Sequence, residues 1–100
     1  MNPSQKGTVG ELSAAIWLIN QGWEVFRNVV PSGPIDLVAV QPDTGELIYV
    51  DVKSSKGLFR DGVLKYPKVS SSDQKRLNVR ILHVDPAGGF VWAPTSLGSR

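Results

Sequence analysis

The sequence predicts a single α/β domain, a mixed central sheet flanked by helices, and three observations carry that expectation. Apolar residues recur at helical spacing near the start of the chain, and a shorter helical signal follows Ser70. Between and beyond them lie short runs rich in Val, Ile and Tyr, bounded by Gly, Pro and Asp turns. The length of 100 residues suits one domain spanning 1–100 with one modest core.

Residues 5–21 read as the first helix. Val9, Leu12, Ile16 and Ile19 supply its apolar stripe, and Gly22 stops it. Residues 23–29 read as a strand, ended by Pro31-Ser32-Gly33-Pro34. Residues 35–40 form a second strand and 47–52 a third. The segment Gln41-Pro42-Asp43-Thr44-Gly45-Glu46 joins them as a hairpin, with Pro early and Gly late. An irregular stretch, SSKGLFRDGVLKYPKV, follows Lys53. Ser70-Ser71-Ser72-Asp73 offers N-cap oxygens for a short helix to about Leu77. Residues 79–84 are another strand, and Asp85-Pro86-Ala87-Gly88-Gly89 turns it into a partner at 90–93. The expected order is α-β-β-β-α-β-β.

Composition narrows the class. With 41% hydrophobic and 20% charged residues the chain resembles an ordinary globular domain, and no apolar run approaches the ~18 residues of a membrane span. The opening Met-Asn-Pro-Ser-Gln-Lys lacks the pattern of a secretory signal, and a cytoplasmic location is the expectation. There is no cysteine and one histidine, so a thiolate or histidine-rich metal site is excluded and any metal must be held by oxygen. The net charge is +2, unevenly spread. From Lys53 to Arg80 there are eight basic residues against two acidic ones, while the remainder is acidic by four. A basic segment after an acidic cluster suits a polyanion held near carboxylate-bound cations, although a solvated loop and helix face explains the same charges.

The chemistry concentrates in PIDLVAVQPDTGELIYVDVK, Pro34 to Lys53. Side chains alternate across a strand, so Asp51 and Lys53 face one way and Ile48, Val50 and Val52 the other. In the predicted hairpin the end of the third strand lies beside the start of the second. Asp36 and Asp51 then become neighbours, with Lys53 close to both. Converging carboxylates repel unless something positive sits between them. A hard divalent cation fits, and Mg²⁺ typically takes one or two carboxylates while keeping waters. The Val52 carbonyl is a further candidate ligand. Such a cation lowers the pKa of bound water and offsets charge on a phosphoryl oxygen, with Lys53 orienting or helping to deprotonate the water. Taken alone, Asp-x-Lys at a strand end is most often a surface ion pair, and Asp36 is equally a strand-entry residue capping the Ser32-Gly33 turn. The combination points to phosphodiester hydrolysis.

Pro34-Ile35-Asp36 followed by Asp51-Val52-Lys53 resembles the signature of the PD-(D/E)XK nuclease superfamily, with Asp in the second acidic position. The segment KGTVGELSAAIWLINQGWEVFR is similar to the opening of small archaeal Holliday-junction resolvases and of short homing-type PD-(D/E)XK endonucleases. The tail VRILHVDPAGGFVWAP resembles the closing hairpin of the short endonucleases. The likeness covers most of the chain, though only the signature positions are specific. It implies a restriction-endonuclease-like fold and an Mg²⁺-dependent endodeoxyribonuclease, with Mn²⁺ able to substitute. Glu11, Asp36, Asp51 and Val52 become the metal ligands it implies, with Glu11 direct or through water. Glu11 otherwise reads as a solvated Glu complementing a helix start. Lys53 sits at the nucleophile, and Gln74 stands where some members use a polar residue to assist metal or phosphate. His83, between Leu82 and Val84, reads as structural.

Lys6, Lys56, Arg60, Lys65, Lys68 and Lys75 are the expected DNA contacts, neutralising phosphates. Phe59 reads as a loop anchor. The expected substrate is branched or structured DNA; a sequence-specific homing or nicking enzyme, a non-catalytic DNA-binding module and a nuclease subunit are the alternatives. Neither a membrane nor a small organic cofactor is expected. Cutting two strands needs two sites, so a homodimer is expected, with Trp17, Trp92 and Val29-Val30 as candidates for its interface or for the monomer's core.

Overall fold

The computed structural model describes residues 1–30, 32–54 and 56–93, with nothing described of the Lys56 side chain. Pro31 of the expected turn, Pro94 of the closing segment and the Lys56 side chain as a DNA contact therefore lie outside the described residues. The elements run α1 (Pro3–Asn20), β1 (Glu24–Arg27), β2 (Leu37–Val40), β3 (Leu47–Ser54), a 3-10 turn (Lys56–Leu58), β4 (Phe59–Arg60), β5 (Val63–Leu64), α2 (Ser72–Arg76), β6 (Val79–Val84) and β7 (Phe90–Trp92). The main sheet is mixed, in the order β1-β2-β3-β6-β7. β1, β2 and β3 pair antiparallel, β3 and β6 parallel, and β6 and β7 antiparallel. Parallel pairing requires a crossover, and the connection from β3 to β6 contains α2.

Helix α1 begins two residues earlier than the expected start at Gln5. Asn2 Oδ1 accepts from the Gln5 N–H at 2.9 Å, and Gln5 Oε1 accepts from the Asn2 N–H at 2.9 Å, a reciprocal cap with Pro3 just inside. The helix also turns a different face to the sheet. Gly10, Ala14 and Leu18 are buried, while Val9, Leu12, Ile16 and Ile19 are exposed. The small residues allow close approach: a Cβ added at Gly10 would meet Ser54 Cβ at 2.7 Å. The core beneath α1 is built on Leu18, Leu37, Val50 and Leu82, all without solvent contact.

Trp17 stacks on Phe90 with centroids 4.9 Å apart and meets Trp92 at 6.1 Å, while the Arg80 guanidinium lies 4.4 Å from the Trp92 ring centre. These aromatics thus close the β7 end of the core within the chain, whereas Val29 and Val30 stay exposed.

The irregular stretch after Lys53 contains an unexpected ribbon, β4 paired with β5. Its turn is Asp61-Gly62, with φ of 53° and 75°, the paired left-handed conformations that a two-residue hairpin demands. Leu58 beneath it is buried, and its carbonyl accepts from the Lys65 and Tyr66 N–H groups at 2.9 and 3.1 Å. Phe59 is half-buried, as an anchor is. α2 is shorter than its expected span: the Ser71–Gln74 reciprocal cap starts it, and Asn78, at φ 59°, breaks it after Leu77.

Candidate active site

The Asp36 backbone is fixed from both sides. Its N–H donates to the Val50 carbonyl at 2.8 Å, and its carbonyl accepts from the Asn28 N–H at 2.9 Å. Its side chain then carries the β2–β3 ladder one step further, Oδ2 accepting from the Val52 N–H at 2.7 Å. The Ser32-Gly33 turn, which Asp36 would cap on the alternative reading, is held by Asn28. Asn28 Nδ2 donates to the Ser32 and Ile35 carbonyls at 3.3 and 2.9 Å, and its Oδ1 accepts from the Val30 N–H at 2.9 Å. Sequence reasoning missed Asn28; an Asn before a Pro/Gly-rich turn was the available signal.

Leu37 lies in the core beneath α1, so Asp36 faces the other side of the sheet. Val50 and Val52 also turn toward α1, which puts Asp51 and Lys53 on the Asp36 side. Asp51 is only 5% exposed. Lys53 Nζ stands 3.2 Å from Asp51 Oδ2, an ion-pair distance without hydrogen-bond alignment, so among the described residues this buried oxygen has no hydrogen-bond partner. Burial raises the Asp36 carboxyl from its usual 3.8 to about 6; the neighbouring Asp51 carboxylate pushes the same way, and the Val52 N–H opposes. The expected meeting of Asp36, Asp51 and Lys53 is therefore present.

Glu11 is not part of that meeting. Arg27, which shares the α1 side with its register partner Leu37, holds Glu11 Oε1 at 3.0 Å through Nε. Glu11 still reaches Asp36 electrostatically, as the smallest of the influences on it. Among the described residues no three acidic or histidine side chains group closely enough to hold a metal, so the structure groups Asp36 with Asp51 and leaves Glu11, expected as a ligand directly or through water, apart from them. The reason is local: a guanidinium on neighbouring β1 offers Glu11 a better partner than two like charges.

The two-carboxylate site nevertheless suits a hard cation. Its donors are all oxygen, one is buried without a hydrogen bond, and the pair repels in its absence. In a strand the carbonyl leaves on the same side as its own N–H, so Val52 turns both toward Asp36.

Gln74 is buried but occupied. Its Oε1 accepts from the Ser71 N–H at 3.0 Å, and its Nε2 donates to the Pro34 carbonyl at 3.2 Å, tying α2 to the residue before Ile35-Asp36. It positions the Asp36 loop. His83, in register with Lys53, is fully buried, and its Nε2 accepts from the Lys68 N–H at 2.9 Å. Burial lowers its pKa below 6.5, so the neutral ring pins the basic segment over this face. Arg60, Lys65, Lys68 and Lys75 are exposed on the crossover. Lys6 lies elsewhere, at the start of α1, lining a cavity of about 570 Å³ with Ser54 and Asp85.

No family model matches the chain. Two UPF0102 proteins of Bifidobacterium longum, one from subspecies infantis and one from strain NCC 2705, are each 32% identical over 82 residues, 80% of this chain. The chain spans 62% of the length of these curated relatives. Its fold is similar to that of a bacterial homing endonuclease, I-Ssp6803I, with a TM-score of 0.61 and 22% identity over 93% of this chain and 65% of the other. Helix, mixed five-stranded sheet and crossover are those of the restriction-endonuclease-like fold. The chain is thus similar in sequence to the UPF0102 proteins and in fold to the homing endonuclease, and on that fold the Pro34-Ile35-Asp36 and Asp51-Val52-Lys53 stretches, which resemble the PD-(D/E)XK signature, stand side by side.

Proposed function

We propose that this domain is a divalent-cation-dependent DNA endonuclease acting on branched or structured DNA. The observation that carries the reading is the juxtaposition of Asp36 and the buried Asp51 beside Lys53 at one end of the sheet. The homing endonuclease with a similar fold supports DNA as the substrate.

Asp36, Asp51 and the Val52 carbonyl would hold Mg²⁺ or Mn²⁺. When bound, the cation supplies charge to the phosphoryl oxygens and acidity to water. The protein's own contribution is positional. Asp36 is locked by the Val50, Asn28 and Val52 backbone bonds, so its carboxylate needs little reorganisation to receive a charge. Asp51 is shielded from bulk water, which strengthens any electrostatic interaction made there. Lys53, partly exposed, presents its ammonium where an attacking water or a phosphate oxygen approaches, held against Asp51 until then. Arg60, Lys65, Lys68 and Lys75 extend positive charge from the site along the crossover, suited to a phosphate backbone. Contacts to phosphates carry no sequence information, which is why DNA shape is favoured over a homing or nicking specificity.

Cleavage of a four-way junction, a flap, linear duplex and single strand, each with Mg²⁺, Mn²⁺ or chelator, tests the proposal. Cation-dependent cutting favouring the junction or flap is expected. Asp51→Ala and Lys53→Ala should abolish it while leaving DNA binding largely intact. Equal rates on all four substrates would remove the structural preference, and unchanged cleavage in either variant would remove the site.

A further inference from the structure

The crossover carries an aromatic ring that the fold leaves largely in solvent. Trp17, Phe90 and Trp92 pack on one another, and Phe59 is half-buried at the start of the β4–β5 ribbon. Tyr66, just past that ribbon, is 58% exposed. Among the described residues its ring meets no other aromatic, and its hydroxyl has no hydrogen-bond partner. Its backbone, by contrast, is fixed on both sides. The Tyr66 N–H donates to the Leu58 carbonyl at 3.1 Å, and the Lys68 N–H donates to His83 Nε2 at 2.9 Å. Pro67 between them has a restricted φ. A ring presented on a fixed backbone loses little freedom when something stacks on it.

The surroundings of the ring say what that something is. Lys65 and Lys68 flank it along the chain, and Arg60 stands on β4 of the adjoining ribbon, with Asp61 at the ribbon's tip the one opposing charge. All three cations are exposed, and none is in an ion pair among the described residues. An apolar protein partner would have to desolvate them. Continuous duplex DNA satisfies them with phosphates but keeps the faces of its bases stacked inside the helix, out of reach of the ring. An unpaired strand offers both, phosphates for the cations and the face of a base for the ring. Position agrees with chemistry. His83 is the register partner of Lys53 and faces the same side of the sheet, so the Lys68 anchor seats this segment beside the strand that carries Asp51 and Lys53.

We propose that Tyr66 is a stacking platform for an unpaired base, set between Lys65 and Lys68, and the residue through which this domain separates DNA with an open branch from continuous duplex. The binding preference stands on the platform alone; its use in cleavage rests on the proposed function.

Binding by the whole chain, measured in chelator so that no strand is cut, tests this with two DNAs of equal length, a flap with a single-stranded arm and a continuous duplex. Tyr66→Ala should weaken flap binding roughly 5- to 150-fold, the worth of one stacked base, and duplex binding less than about twofold. Tyr66→Trp should restore the flap preference, which a side chain that only shaped the loop would not do. Lys65→Ala should behave differently, weakening both DNAs alike and lowering the salt dependence by about one phosphate contact. The base contact has its own signal. A fluorescent adenine analogue in the arm should be quenched by saturating wild type and stay bright with saturating Tyr66→Ala. Equal losses on flap and duplex, no loss on either, unchanged quenching, or a wild type that favours neither DNA would overturn the proposal. Circular dichroism of Tyr66→Ala should match wild type because the ring is already exposed; a variant that fails to fold would make Tyr66 core and overturn it too. Cleavage assays separate the two claims. If flap preference depends on Tyr66 but no cation supports cutting, the nuclease reading fails and the platform stands. If cutting occurs and Tyr66→Ala leaves the flap-to-duplex ratio unchanged, the platform fails and the nuclease reading stands.

Discussion

The two faces of β3 are built to opposite rules. Toward α1 it presents Ile48, Val50 and Val52, which join a core of aliphatic contacts. Toward the crossover it presents Tyr49, Asp51 and Lys53, and there it buries a carboxylate oxygen without a hydrogen bond beside a second carboxylate held out of its ordinary ionisation range. The first face lowers the free energy of the fold. The second raises it, a cost that the proposed cation binding would account for.

That contrast breaks most sharply at Asp51. Asp51→Ala should reduce cation-dependent cleavage by at least about 10³-fold, some 4 kcal/mol of transition-state stabilisation. Urea unfolding of the cation-free variant should nevertheless give a stability within about 1 kcal/mol of wild type, or above it, because the desolvated carboxylate is lost along with its ion pair to Lys53. Leu82→Ala on the core face should do the reverse. Removing a fully buried side chain should cost about 2–5 kcal/mol in the same unfolding experiment. Its effect on cleavage below the melting transition should be much smaller.

Asp36 sharpens the comparison through pH. A carboxyl whose folded pKa is raised contributes stability that is complete below 3.8 and is lost as pH climbs through about 6. Asp36→Asn keeps an oxygen for the Val52 N–H and removes the ionisation. At pH 7 the variant should be more stable than the cation-free wild type by roughly 1–2 kcal/mol, the full two-unit shift being discounted for partial exposure. Near pH 4 the gap should close. His83 has the opposite sign: its lowered pKa gives stability present above 6.5 and lost on acidification, and Asp36→Asn should lay that slope bare. Chemical denaturation between pH 4 and 8 reads both.

The smallest effect is expected at Glu11. Glu11→Gln breaks an ion pair with the half-exposed Arg27 and removes a minor charge near Asp36. It should change stability by less than about 1 kcal/mol and cleavage far less than Asp51→Ala does, in unfolding and single-turnover assays run side by side.

Much of this arrangement was legible in the chain. Residues 79–84 read as a strand and are one, because a β-rich run between a helix stop and a Pro-Gly turn has little alternative. The 41–46 turn formed as its Pro and Gly required: Gly45 takes φ 77°, and its N–H donates to the Gln41 carbonyl at 2.8 Å. The hairpin alone was enough to bring Asp36 to Asp51. What alternation within one element cannot reveal is which of two apolar helix faces the sheet will choose. Val9, Leu12, Ile16 and Ile19 form the more obvious stripe, yet close approach at Gly10 decided in favour of the smaller one. The same turn of the helix, together with an Arg27 whose reach no spacing rule encodes, drew Glu11 away from the other acids. The β4–β5 ribbon was a missed signal of another kind. Asp61-Gly62 between Phe59-Arg60 and Val63-Leu64 has the chemistry of a two-residue hairpin, hidden in a stretch that looked irregular.

Where a divalent ion rests on the molecule tests the central claim most directly. Mn²⁺ titrated into the isotopically labelled protein broadens amide resonances near its binding site. The amides of Asp36, Asp51 and Val52 should broaden first, together, and remain sharp at the same Mn²⁺ concentration in Asp51→Ala. Broadening that begins instead at Asp43 and Glu46 in the hairpin turn, or that Asp51→Ala leaves unaltered, would contradict the account.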